Sequence, residues 1–200
     1  TGVQTCALPI SSDVVVAAGI SGSGSAGRTL NIQADNSIQF NAGASVGSTN
    51  ALGVVLNADR DASGAGQITL VSGVTINSAG GDIVLGGGAN PLTTAARSTA
   101  GAPIGVSLTG ATLSAGAGSI SIRGQAGAAG TIGIRTDGAS IQTTSGSITL
   151  HGTGGGTAGG SDNEGIALGT GGVNQITSVD GNVSLTGFGG LGLSSDGVVV

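Results

Sequence analysis

Residues 104–124 read IGVSLTGATLSAGAGSISIRG, and residues 132–152 read IGIRTDGASIQTTSGSITLHG. Displaced by 28 positions without a gap, the first stretch lies on the second, with eight of 21 positions identical. The apolar positions change within kind: Val106 for Ile134, Leu113 for Ile141, Ile122 for Leu150. A third copy, Gly165–Gly187, carries three extra residues in its middle, and a fourth, partial one spans Gly73–Gly86. More divergent copies occupy 27–43 and 52–70. An internal period of this size is the signature of a repeat architecture.

The best-kept element is Gly, small polar, aliphatic, any, aliphatic. It recurs as GDIVL (81–85), GSISI (118–122), GSITL (146–150) and GNVSL (181–185), with GQITL (66–70) as a further instance. Alternation with period two is strand chemistry. In GSITLH it sends Ile148 and Leu150 to one face and Ser147, Thr149 and His151 to the other. No stretch places apolar residues at i, i+3, i+4 and i+7 between helix caps, so almost no helix is expected. Short one-sided strands returning in register point to an all-β parallel β-helix (β-solenoid), each strand bonded to its equivalent in the next coil ~4.8 Å away. Ile83, Ile120, Ile148 and Val183 should then stack in one inner ladder, and Leu85, Ile122, Leu150 and Leu185 in another. At ~20–28 residues per coil the chain would make about 7–9 coils. The stretches 86–103 and 152–165, which interrupt the period, are expected as loops outside the coil, with Pro91 and Pro103 where no ladder bond is lost.

Composition agrees. Gly supplies 43 of 200 residues, only 8% are charged, and Phe40 and Phe188 are the only aromatics beside the single His151. A narrow tube has room for Val, Ile and Leu and little for rings. Mean hydropathy is positive, at +0.38, which argues against disorder. The net charge is −5, Lys is absent, and the five Arg stand far apart. With no basic patch and no stacking aromatics, nucleic-acid binding is not expected. No apolar run approaches the ~20 residues that span a bilayer.

The first ten residues, TGVQTCALPI, do not share this composition and hold the only Cys. Back-translated, they read as a common sequencing-library adapter in frame. The segment 1–11 is therefore set aside as non-native, and 12–200 is taken as a single β-solenoid domain, expected to be a fragment of a longer chain.

Residues 50–92 (NALGVVLNADRDASGAGQITLVSGVTINSAGGDIVLGGGANPL), followed by GVSLTGATLSAGAGSISIRG, resemble the repeat region of filamentous-haemagglutinin-like large exoproteins. The resemblance spans essentially Ser12–Val200. It implies a right-handed parallel β-helix and two-partner secretion through an outer-membrane partner. It also implies a secreted or cell-surface location and an adhesive or structural role, with receptors or glycans of neighbouring cells as partners. It carries no catalytic motif. The expected function is thus a structural or adhesive stalk segment without catalysis. The alternative is a fragment of a β-helical polysaccharide lyase or hydrolase.

Individual candidates are weighed against that background. His151 falls, by the repeat, on the position of Arg123, Thr186 and Gly86, an outer strand-end position that accepts anything. Residues 155–165, with Asp162 and Glu164, resemble a calcium nonapeptide only faintly, since the acids occur once and without regular spacing. Asp59, Arg60 and Asp61 cluster in 57–64 and read as an exposed local ion pair in a turn. The Gly-rich stretches 22–27 and 152–156 lack the Gly-Lys-Ser/Thr of a phosphate loop. The Thr residues do not align into the flat ladders of an ice-binding solenoid. Catalytic, cofactor and metal residues are all expected to be none. An enzyme would instead require a cluster of ionisable groups on adjacent coils, with any three of Asp59, Arg60, Asp61, Asp82, Arg123, Arg135 and His151 converging.

Overall fold

The computed structural model describes residues 12–98, 103–127, 131–156, 162–169 and 171–200. The segment 1–11 set aside above lies outside them. The described residues form strands joined by short turns and contain no helix. Six coils follow one another, each laying down three strands. They are β1 (Val14–Val16), β2 (Ile20–Gly22) and β3 (Arg28–Gln33); β4 (Ile38–Phe40), β5 (Ser45–Ser48) and β6 (Leu52–Ala58); β7 (Ile68–Leu70), β8 (Thr75–Asn77) and β9 (Ile83–Gly87). After β10 (Ala96–Arg97) come β11 (Ile104–Thr109), β12 (Thr112–Gly116) and β13 (Ile120–Gln125); then β14 (Ile132–Asp137), β15 (Ser140–Thr143) and β16 (Ile148–Thr153). The sixth coil is β17 (Ile166–Leu168), β18 (Gln175–Ser178) and β19 (Val183–Phe188), and β20 (Val198–Val199) begins a seventh.

Equivalent strands pair in parallel and build three sheets: A, in the order β1-β4-β7-β11-β14-β17-β20; B, β18-β15-β12-β8-β5-β2; and C, β19-β16-β13-β9-β6-β3. The chain is a parallel β-helix. The two ladders expected in sheet C are present and extend further back. One runs Leu30, Val54, Ile83, Ile120, Ile148, Val183, the other Ile32, Leu56, Leu85, Ile122, Leu150, Leu185. Sheet B contributes Ile20, Val46, Ile76, Leu113, Ile141 and Ile176. Sheet A contributes Ile38, Ile68, Val106, Ile134 and Ile166. In the middle coils these side chains are sealed from water. Each such burial is worth roughly 1.5–3 kcal/mol of transfer free energy.

Three sequence expectations need correction. GQITL (66–70) copies the local pattern of sheet C but forms β7 in sheet A, where Ile68 pairs with Ile38 and Val106. Alternation reports which face a side chain takes, not which sheet the strand joins. The insertion 86–103 is also more than a loop. Its β10 runs beside the last residues of β13, pairing Ala96 with Gly124 and Arg97 with Gln125, and it buries Ala96 completely. Insertions explain why six coils are completed rather than seven to nine, since these residues lengthen a coil without starting another. Pro91 lies in the turn of that insertion, where the Asn90 carbonyl accepts from Thr93 and Thr94 N–H.

Length varies most at one corner, between sheet C and the next strand of sheet A. There the sheets close on each other along two glycine rows. A Cβ on Gly124 would lie 2.2 Å from the Gly133 carbonyl oxygen, and one on Gly152 2.0 Å from that of Gly165. The corner from B to C is as tight: a Cβ on Gly146 would meet the Gly118 oxygen at 1.9 Å, and one on Gly118 the Gly81 oxygen at 2.2 Å. The leading Gly of the repeated element is therefore a packing requirement set by the backbone of the preceding coil. Hydroxyls complete this corner, Ser78 donating to the Gly81 carbonyl and Thr143 to that of Gly146.

Candidate functional site

The outer wall positions most of the ionisable groups, and it mostly keeps them apart. Asp59 directly follows β6 with a left-handed backbone (φ 49°) and is buried. Its Oδ1 accepts from Ser63 Oγ at 3.1 Å, Gly64 N–H at 2.9 Å and Ala65 N–H at 3.2 Å. That carboxylate ties a loop. Arg60 reaches Asp35 of the preceding coil at 2.5 Å, and Asp61 accepts from Ser63 N–H. The expected exposed pair within 57–64 is thus a buried cap plus an ion pair between coils. Asp82 accepts from Ser119 N–H at the B-to-C corner, and Arg135 lies 3.5 Å from Asp137 on the outer face of sheet A. In 22–27, Ser25 offers its carbonyl to Arg28 Nε at 2.8 Å.

Glu164 is the least expected of these groups. It is buried, and its Oε2 has no hydrogen-bond partner. Burial pushes its carboxyl above the usual range; its own backbone N–H opposes this, while Asp162 and Asp196 add to the rise. It borders an open depression of about 330 Å³ with Arg135, Asp162, Leu168 and Val199. Among the described residues no group of three or more His, Cys, Asp or Glu side chains is placed to hold a metal ion.

One constellation does form, on the outer face of sheet C. Register places Arg123 beside His151 and His151 beside Thr186. Phe188 pairs with Thr153, two residues along, and its ring tilts over His151 with centroids 5.5 Å apart. Arg123 is held from the other side, its Nε donating to the Leu92 carbonyl of the insertion at 2.5 Å. Burial, with the Arg123 charge added, holds the His151 imidazole below the usual histidine range, so it is mainly neutral at pH 7. Of the seven candidate groups, Arg123 and His151 are register neighbours on sheet C, and Asp59 and Asp61 both accept from Ser63. Sequence reasoning placed Arg123 and His151 on one row but missed Phe188. The signal was there, because aligning His151 with Thr186 puts Phe188 one alternation further on the same face.

No protein-family model, curated protein or solved structure matches the chain.

Proposed function

We propose that this β-helix is a rod-forming stalk segment of a filamentous-haemagglutinin-like exoprotein, carried on a bacterial surface or secreted, and that its work is structural and adhesive rather than catalytic. The observation behind this reading is the ladders of aliphatic side chains, sealed in the middle coils, which run through consecutive coils in three sheets. A dry interior with a hydrogen bond at each strand step resists bending and shear, and such a rod projects whatever is displayed along it. The wall outside is largely Ser, Thr, Asn, Gln and Gly, and its charges serve mostly as local caps and ties. An outer-membrane secretion partner and contacts with neighbouring cells follow from the same reading.

The test is made on the bacterium that carries the gene. Antibodies raised against the chain should stain intact cells, and protease treatment of those cells should remove the signal. Staining that appears only after permeabilisation overturns the surface assignment. The catalytic alternative is checked by incubating the purified chain with acidic and neutral polysaccharides. Unchanged reducing ends are expected, and their release would replace the stalk with a lyase or hydrolase.

A further inference from the structure

We infer that the outer face of sheet C around Arg123, His151 and Phe188 is a binding subsite for a carboxylate-bearing sugar of an acidic oligosaccharide. The inference rests on the adhesive reading above and gives it a location and a ligand class.

Three observations converge. The first is charge. The chain carries ten acidic residues against five Arg, yet no Asp or Glu lies in any strand of sheet C. Among the described residues no carboxylate pairs with Arg123, whereas Arg60 and Arg135 each have one. Bonding from Nε to Leu92 fixes the guanidinium plane and leaves its outer N–H groups for a planar carboxylate, the partner for which that fork is best shaped.

The second is the ring. The coil interior has only Phe40, which is fully buried, while Phe188 is half exposed on the wall. The tilted contact sets the ring beside His151, and its exposed part is open to the C–H face of a pyranose. Neutral imidazole at pH 7 adds one hydrogen-bond donor and one acceptor without a competing charge.

The third is spacing. Arg123, His151 and Thr186 occupy equivalent positions on successive coils, ~4.8 Å apart, which is close to the length of one sugar residue. Thr149, Thr153 and Thr186 line the track with hydroxyls. An oligosaccharide lying along the axis therefore meets a cation, an imidazole and a ring in turn.

The experiment uses the 200-residue chain with two acidic probes, hexagalacturonate and a sialylated lactose. Their neutral counterparts are the methyl-esterified hexamer and lactose. Isotope-edited NMR titration should show millimolar binding of an acidic probe, with amide shifts centred on β13, β16 and β19 and at least tenfold weaker binding of its neutral counterpart. Binding of the hexamer alone identifies an internal uronate, and binding of the sialyl probe alone a terminal acidic sugar. Arg123→Gln and Phe188→Ala, both on the wall, should each weaken binding about tenfold or more. The inference is overturned if neither acidic probe binds, if neutral probes bind as well, if the shifts map elsewhere, or if both variants bind normally. None of these outcomes touches the surface-staining result, so the stalk reading stands or falls separately.

Discussion

Ile148 and Val183 are neighbours in the same ladder, and they live in different surroundings. Ile148 lies between coils and is fully buried, whereas Val183, in the last described coil, is 43% exposed. Leu150 and Leu185 repeat the contrast, as do Ile141 and Ile176. The side chains are of one aliphatic class, and each pair shares a sheet. What differs is whether a further coil covers the side chain. Burial in this molecule comes from stacking along the axis, so stability is a sum over interfaces between coils rather than over one central core.

The comparison can be broken most severely at the corners. Gly146→Ala in the middle of the rod forces a Cβ onto the Gly118 carbonyl and should cost more than ~3 kcal/mol, with loss of a single cooperative urea transition. A smaller contrast separates the ladder neighbours. Ile148→Ala should lose about 2–5 kcal/mol of unfolding free energy, and Val183→Ala less than about 1 kcal/mol, because half of its transfer gain is never made. Equal losses would end the stacking account.

Thr136 sharpens the point from within the middle coils. It occupies the ladder position of Leu108 and Leu168, is fully buried, and leaves its hydroxyl unpaired. Thr136→Val keeps the shape and removes the orphan, so a gain of about 1–2 kcal/mol is expected in the same denaturation experiment.

Glu164 gives the smallest effect. Its folded-state pKa is raised above the unfolded value, so the native state holds the proton more tightly. Stability from this group is fully present below the unfolded pKa and is lost as pH rises through the folded one. Glu164→Gln should therefore raise the melting temperature by a few degrees at pH 7 and leave it nearly unchanged at pH 4. A larger gain at pH 4 would contradict the burial.

The ladders of sheet C were legible residue by residue because a coil interior demands the same side-chain class at each pass. The 28-residue offset between 104–124 and 132–152 is itself one coil, and Ile120 does lie on Ile148. Features that depend on how backbones approach across a corner were not legible. GQITL (66–70) took its sheet from its neighbours Ile38 and Val106, which no local pattern records. The burial of Glu164 is likewise set by how a corner segment packs, as is the buried capping role of Asp59. Of the outer-face cluster, Arg123 and His151 were in view as register mates. The ring beside them required carrying the alternation one step further.

The uneven corners have a practical consequence. Turns from A to B and from B to C hold a narrow range of lengths, while the turn from C to A absorbs the whole of 88–98 and still lets β11 resume its row. Foreign peptide spliced there would ride outside the aliphatic ladders. The rod is thus a ready display scaffold, in which cargo can be exchanged at that edge while the winding is left alone.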